Sequence, residues 1–136
     1  MVYLTRRERF SAAHRMHTPG WTDEQNYEYF GLCANPHWHG HNYELFVTVK
    51  YDNHVDPSFF VNIKHLSSVI KTCVIDKIDH KNLNLEVDFM KGKLTSTENL
   101  AIGIFNQLVE PVKKIGVILH GVKITQTENN IVEYFG

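Results

Sequence analysis

The sequence predicts an α+β fold, in which four antiparallel strands form one sheet and two helices pack on one of its faces. Segments with alternating apolar and polar residues lie near both ends of the chain, and this period of two is typical of strands. Segments with apolar residues three or four positions apart lie between them, as in amphipathic helices. The predicted order is therefore β-β-α-α-β-β, and we expect residues 1–136 to fold as a single domain with a substantial core.

The first two strands are predicted over residues 2–14 and 42–51, where apolar residues occupy alternate positions. His14 lies at the end of the first strand, on its apolar face. The stretch between the strands, residues 18–40, contains prolines, glycines and aromatic residues. A loop of that length in a compact domain is usually functional.

Two helices and two further strands are predicted in the remainder of the chain. The first helix covers residues 62–77, where four apolar residues recur at helical spacing: Ile63, Leu66, Ile70 and Cys73. The second helix starts at the TSTE run of residues 95–98, which has the form of a capping box with Glu98 as its carboxylate. The last two strands, residues 116–127 and 131–135, are separated by an asparagine turn.

Composition excludes several classes of function. The formal net charge is −1 and no basic stripe is present, so we expect no nucleic-acid partner. No stretch approaches the ~20 apolar residues of a membrane-spanning helix, and no signal-peptide run precedes the first strand. The two cysteines, Cys33 and Cys73, are too few for a disulfide framework. These features favour a reduced, cytoplasmic protein.

The strongest chemical signal is the histidine pair His39 and His41 at the start of the second strand. Residues two apart on a strand point to the same side, and Gly40 between them has no side chain to obstruct the far face. Two imidazoles placed in this way suit Zn²⁺, and His14 is the best candidate for a third ligand. Three neutral imidazoles leave a fourth position open, as in catalytic zinc sites. The spacing alone is equally compatible with polar histidines bonded to the backbone.

Cys33 lies in the long loop, six residues before His39. Its thiolate is a candidate base or nucleophile. The alternative role, a small buried apolar residue, fits Cys73 on its helix face better than it fits Cys33.

Three further groups of polar residues have both a chemical and a structural interpretation. Asp79 can orient His80 and support its imidazolium, or the two residues can simply follow the helix end. Glu98 has a structural role available in the capping box. Gln126 and Glu128, two residues apart near a strand end, can bind a polar ring edge or face the solvent.

Five sequence blocks resemble the 6-pyruvoyl-tetrahydropterin synthase family, which also contains the 6-carboxy-tetrahydropterin synthases. The blocks are FSAAH (10–14), FGLCANPHWHGHNY (30–43), DHKNL (79–83), TSTEN (95–99) and TENNIVEY (127–134). Their order and spacing are compatible with the family from residue 10 to the C-terminus. Five ordered blocks are far more specific than any single one.

The resemblance implies the tunnelling fold, a four-stranded antiparallel sheet with two helices on one face, which agrees with the predicted element order. It also implies a homohexamer, in which three sheets join into a barrel, two trimers stack, and the active sites lie between subunits. The implied substrate is 7,8-dihydroneopterin triphosphate. In the implied zinc-dependent reaction, this substrate loses triphosphate and becomes 6-pyruvoyl-tetrahydropterin.

The resemblance assigns roles to individual residues. Three match the family's zinc ligands: His14, His39 and His41. Three match its catalytic group: Cys33, Asp79 and His80. In the family the last two come from a neighbouring subunit, and we expect Cys33 to remove a carbon-bound proton while the Asp79–His80 pair shuttles protons. Three match positions that contact the pterin: Ser96, Thr97 and Glu98.

One position departs from the family pattern. Gln126 stands where the family has a glutamate that anchors the guanidine-like edge of the pterin. A glutamine can accept one such hydrogen bond but has lost the charge-assisted second one. Pterin binding is then weaker, or Glu128 takes over this role, or the ligand differs.

Two alternative functions stay open. Five residues lie between Cys33 and the HGH triplet, a spacing that resembles the biopterin-type enzymes. Many 6-carboxy-type members, which act on the same substrate and release acetaldehyde on the queuosine route, have a shorter spacing. The departure at Gln126 also leaves open a pterin-binding protein without turnover.

Overall fold

The computed structural model describes residues 1–136, and its central feature is a sheet of five strands. The strands are β1 (Val2–His14), β2 (His39–Tyr51), β3 (Lys81–Asn82), β4 (Ile118–Thr127) and β5 (Asn130–Tyr134). Their spatial order is β3-β1-β2-β4-β5. Neighbouring strands are antiparallel except for β1 and β3, which are parallel.

The predicted α+β architecture is confirmed, but the count of four strands is wrong by one. The additional strand, β3, has only two residues and lies in the stretch between the predicted helices. Two residues are too short for an alternating pattern to be recognised. The second strand also begins at His39 rather than at residue 42, which brings the whole HGH triplet into the sheet.

The helices are α1 (Asp23–Phe30), α2 (Ile63–Ile70), α3 (Asp76–Ile78) and α4 (Thr97–Lys114). A π-helical turn, Lys71–Ile75, joins α2 to α3, so residues 63–78 are helical throughout, close to the predicted range. The short helix α1 lies within the loop predicted to be irregular. It begins with a capping box, in which Thr22 and Gln25 bond to each other's backbone N–H.

The π-helical turn keeps one face of the α2–α3 segment against the sheet. Four residues with no exposed surface lie four positions apart: Leu66, Ile70, Val74 and Ile78. In an ideal α-helix each step of four residues turns the side chain by roughly 40°, which would carry Ile78 away from the core. The wider turn takes up one extra residue and offsets this drift. Ile63, predicted on the apolar face, is exposed, and Cys73 is half-buried.

The core lies between the helices and one face of the sheet. On β2 it contains alternate residues that are at most 1% exposed: Tyr43, Leu45, Val47 and Val49. On α4 it contains Leu100, Ile104 and Leu108. The other face of the sheet carries polar pairs between neighbouring strands, including Arg7 with Glu44 at 3.3 Å. No helix combines the length and apolar composition that a bilayer crossing requires.

The start of α4 differs from the predicted capping box. Ser96 is the N-cap residue, and its hydroxyl accepts a hydrogen bond from the backbone N–H of Asn99 at 3.2 Å. The third helical position therefore belongs to Asn99, so the prediction that Glu98 closes a capping box is wrong. Glu98 is exposed and makes no hydrogen bond that would hold the helix end. Thr95, one residue before the cap, is 1% exposed.

Candidate functional site

Three imidazoles converge where the β1–β2 pair ends. His14 ends β1 and pairs in register with His39, which begins β2, while His41 pairs with Ala12. One ring nitrogen from each histidine lies within 4.8 Å of the other two. A Cβ atom on Gly40 would lie 3.2 Å from the carbonyl oxygen of Ala12, so glycine suits this tight strand contact. The structure thus brings together the three histidines that strand geometry predicted as metal ligands.

The nitrogens that face one another have no other partner. His14 Nε2, His39 Nδ1 and His41 Nε2 are buried without a hydrogen bond. The other nitrogen of His14, Nδ1, lies 2.8 Å from the carbonyl oxygen of Thr95. A carbonyl can only accept, so Nδ1 carries the hydrogen and Nε2 is the free ligand atom. Because buried polar atoms are normally bonded, three orphan nitrogens in one place fit a metal ion.

Burial keeps these imidazoles neutral. Desolvation lowers the pKa of His14 to about 4; the Thr95 carbonyl opposes this shift, and the two neighbouring histidines add to it. Desolvation also lowers the pKa of His39 and of His41. Neutral imidazole is the form that binds a metal. The cluster is therefore ready to accept a cation at neutral pH without first losing protons.

A cavity of about 390 Å³ opens beside His14. It brings together six of the predicted site residues: His14, Cys33, Ser96, Thr97, Glu98 and Gln126. They come from the end of β1, the long loop, the start of α4 and the end of β4. Asn129, from the β4–β5 turn, and Ile131, from β5, also line the cavity. Neither residue carries a titratable or metal-binding group, so the sequence alone does not mark them as site residues.

The backbone of its loop holds Cys33 at the cavity that His14 also lines. Cys33 lies in a 3₁₀ turn, Gly31–Ala34, and is exposed. The carbonyl oxygen of Cys33 accepts a hydrogen bond from the N–H of Met16 at 2.7 Å. This bond ties the loop to the chain two residues beyond His14.

Asp79 and His80 form a side-chain pair that lies outside this cavity. His80 Nδ1 is 2.9 Å from Asp79 Oδ2, and the second carboxylate oxygen accepts from the N–H of Ser11 at 2.9 Å. This N–H bond is the main reason that the pKa of Asp79 is lowered; partial burial opposes the shift, and His80 adds to it. His80, together with Ser11 and Asn42, lines a separate cavity of about 450 Å³. In one chain, His80 and Cys33 therefore line different cavities.

Gln126 and Glu128 lie in different surroundings. Gln126 is half-buried and lines the cavity with Cys33. Burial raises the pKa of Tyr43 to about 12, and the side chain of Gln126 opposes this shift. Glu128 follows the end of β4, is exposed and does not line the cavity.

The backbone is unusual next to two of the site residues. Trp38, directly before His39, has a φ of 68°, and His80 has a φ of 59°. Residues other than glycine rarely adopt a positive φ, and such backbone strain tends to lie at functional sites. The guanidinium of Arg15 lies 5.4 Å from the centre of the Trp38 ring, which packs the turn into β2 against the residue after His14.

Comparison with known proteins gives one family over almost the whole chain. The profile of the family described as 6-pyruvoyl tetrahydropterin synthase matches residues 3–136. The 6-pyruvoyl tetrahydrobiopterin synthase of Dictyostelium discoideum is 45% identical over 135 residues, which cover 99% of this chain and 96% of that protein. The Drosophila melanogaster protein of the same name is 40% identical over 136 residues, covering 100% of this chain and 80% of its own length. The solved structure of Caenorhabditis elegans 6-pyruvoyl tetrahydropterin synthase is similar with a TM-score of 0.87 and 35% identity, covering 99% of this chain and 95% of that one.

Proposed function

Since the chain belongs to the 6-pyruvoyl tetrahydropterin synthase family, we propose that it converts 7,8-dihydroneopterin triphosphate to 6-pyruvoyl-tetrahydropterin, with loss of triphosphate. One observation carries the proposal. His14, one of the three clustered histidines, lines a single cavity with Cys33 and the start of α4, so a metal-binding group, a proton acceptor and polar ring contacts are available to one ligand.

We assign zinc to the histidine cluster as the proposed metal. Three neutral imidazole nitrogens form a donor set that suits Zn²⁺ and leave room for a substrate ligand. When bound there, zinc supplies Lewis-acid polarisation of substrate oxygens, which eases proton removal from the adjacent carbon. The chain holds its ligand atoms in place by the strand register of His14 with His39 and by the bond from His14 Nδ1 to Thr95.

The chain's own residues then divide the remaining work. The hydroxyls of Ser96 and Thr97 and the carboxylate of Glu98 bind the pterin ring at the start of α4. Gln126 binds its guanidine-like edge. The thiolate of Cys33 removes a carbon-bound proton next to the side-chain hydroxyls of the substrate, and departure of triphosphate completes the elimination.

The Asp79–His80 pair is proposed to work on the cavity of a neighbouring subunit. Asp79 holds the His80 ring by the 2.9 Å contact to Nδ1, which leaves Nε2 to take up and return protons. This role is supported by the position of the pair outside the Cys33 cavity of its own chain. We therefore propose that residues 1–136 form one synthase domain that assembles in the cytoplasm as a homohexamer, a dimer of trimers.

The function is tested by incubating the zinc-loaded protein with 7,8-dihydroneopterin triphosphate and identifying the products by mass spectrometry. We expect triphosphate and 6-pyruvoyl-tetrahydropterin. Acetaldehyde with 6-carboxy-tetrahydropterin would instead assign the carboxy-type reaction, and tight pterin binding without product would assign a non-catalytic binding protein.

A matched pair of cysteine variants separates the enzyme from a binding protein. Cys33→Ala should abolish product formation while pterin affinity is retained, since the side chain contributes chemistry rather than ring contacts. Cys73→Ala makes the same chemical change on a half-buried helix position and should leave turnover intact. Equal activity of the two variants would contradict the role of Cys33.

A further inference from the structure

The backbone groups of Arg15, the residue after His14, form hydrogen bonds with a side chain and not with a neighbouring strand. The β1–β2 ladder stops at the pair His14 and His39. Beyond it, the N–H of Arg15 donates to Asn84 Oδ1 at 3.1 Å, and its carbonyl oxygen accepts from Asn84 Nδ2 at 3.1 Å. The amide of Asn84 thus makes the two hydrogen bonds that a neighbouring strand residue would make.

Thr95 connects Asn84 to the ring of His14. The Thr95 hydroxyl lies 3.0 Å from Asn84 Oδ1 and 3.1 Å from the carbonyl oxygen of Arg15. The carbonyl oxygen of the same threonine lies 2.8 Å from His14 Nδ1. Both Thr95 and His14 are only 1% exposed, so water does not compete freely for these bonds.

Asn84 is itself held in position. Its backbone N–H donates to Asn82 Oδ1 at 2.9 Å, and the N–H of Leu83 donates to the carbonyl of Ala13 at 2.8 Å. These bonds attach the segment after β3 to the last residues of β1. The amide group is therefore fixed relative to the strand that ends in His14.

We propose that Asn84 is a positioning residue for the metal site. It bonds to the backbone of Arg15, the residue after His14, and to the Thr95 hydroxyl, and so fixes the ring orientation and the tautomer that present Nε2 to the other two imidazoles. Asn84 touches neither metal nor substrate in this role. The inference rests on the proposed metal site, in which His14 is a ligand through Nε2.

The role requires both a donor and an acceptor on one side chain. Asparagine supplies Nδ2–H to the Arg15 carbonyl and Oδ1 to the Arg15 N–H, whereas aspartate supplies only acceptors. Asn84→Asp should therefore weaken metal binding in part, and Asn84→Ala should weaken it more. Groups that orient a metal-bound histidine typically change metal affinity by about 10- to 100-fold.

The test is zinc affinity, measured by competition with a chromophoric chelator, for wild type, Asn84→Ala and Asn62→Ala. Asn62 is the matched control, because its side-chain amide likewise makes two hydrogen bonds to the backbone, here with Oδ1 accepting from two N–H groups at the start of α2. We expect Asn84→Ala to bind zinc about 10- to 100-fold more weakly and Asn62→Ala to bind it as wild type does. The visible spectrum of the Co²⁺-substituted protein should change only in Asn84→Ala. Wild-type zinc affinity in Asn84→Ala would overturn the proposal.

A measurement without metal separates this inference from the proposed function. Long-range ¹H–¹⁵N spectra of the metal-free protein should show His14 in the single tautomer with hydrogen on Nδ1, and mixed tautomers in Asn84→Ala. If wild type binds no zinc, the proposed metal role fails, but an unchanged tautomer in Asn84→Ala would still refute the positioning role.

A second pair of variants serves if Asn84→Ala does not fold. Thr95→Val removes the hydroxyl that Asn84 contacts and keeps the carbonyl that His14 contacts, and Thr95→Ser keeps both groups. We expect weaker zinc binding in Thr95→Val and restored binding in Thr95→Ser. Equal zinc affinity of the two variants would overturn the proposal.

Discussion

At the scale of the residue, Gln126 is the position where a small chemical change should alter ligand binding most directly. It lines the Cys33 cavity and is half-buried, so a charge placed there is only partly screened. A carboxylate accepts a pair of charge-assisted hydrogen bonds from a guanidine-like edge, and such bonds are roughly twice as strong as neutral ones.

We therefore expect Gln126→Glu to tighten pterin binding by about tenfold, measured as the Kd of neopterin by fluorescence. Glu128→Ala should have the milder effect, since Glu128 is exposed outside the cavity. Weaker binding in Gln126→Glu would show that the amide is required at this position.

The three histidines could be predicted from the sequence because strand geometry is periodic. His39 and His41 are two apart, and His14 ends an alternating segment, so their side chains fall on one side of paired strands. The contribution of Thr95 could not be predicted. It acts on His14 through a backbone carbonyl, a group that every residue carries, and so no residue type marks it.

At the scale of the element, the start of α4 separates two roles that the sequence placed together. Ser96 caps the helix, whereas Glu98 makes no capping bond and lines the cavity. Ser96 therefore holds the helix end, and the carboxylate of Glu98 is free to bind a ligand.

Variants at both positions should weaken pterin binding, but only the Ser96 variant should also destabilise the fold. Ser96→Ala should lower the free energy of unfolding by about 1 kcal/mol, the usual cost of losing an N-cap. Glu98→Gln should change that free energy by less than about 0.5 kcal/mol but weaken pterin binding. Urea unfolding and neopterin titration measure the two effects, and a destabilised Glu98→Gln would restore the capping-box interpretation.

The link between α3 and β1 should depend on pH. The pKa of Asp79 is lowered mainly by the N–H of Ser11, so the native chain holds this proton less tightly than the unfolded chain. The stabilisation is therefore complete above the ordinary carboxyl pKa of 3.8 and is lost as the pH falls below it.

We expect Asp79→Asn to lower the free energy of unfolding at pH 7 by at most about 1 kcal/mol, since the carboxylate is partly exposed and screened. Its effect should be smaller at pH 3. Urea unfolding at both pH values measures the difference, and an equal loss at both would contradict the ionic contribution.

Elements that escaped prediction are those in which local sequence carries little information. The strand β3 has two residues, and its pairing with Ala12 and Ala13 depends on where the α2–α3 segment ends. The π-helical turn inside that segment resembles ordinary helical spacing until burial shows which residues share a face.

At the scale of the whole molecule, Cys33 and His80 lie at different cavities of one chain. In the proposed site, activity therefore requires assembly. A chain that uses its own Cys33 with a neighbour's His80 is inactive alone. The proposed homohexamer should have a mass in solution of about six times the 15.8 kDa of one chain, which light scattering after size-exclusion chromatography would measure.

Subunit mixing tests the shared site directly. Cys33→Ala and His80→Ala should each be inactive, but co-refolding equal amounts should recover about a quarter of wild-type activity, because a quarter of randomly formed interfaces join two intact partners. No recovery from well-formed mixed oligomers would place both groups in the same chain's site.

The β1–β2 pair ends at two residues of the histidine cluster, and this position has an evolutionary consequence. His14 and His39 pair with each other across the two strands. Both ends of the segment that carries Cys33 are therefore fixed by the sheet. Doubling the length of such a loop costs only about 0.6 kcal/mol in closure entropy. Insertions and deletions between β1 and β2 can change the surroundings of Cys33 while the histidine cluster keeps its geometry. New reactions can arise in this way by exchange of the loop on an unchanged sheet.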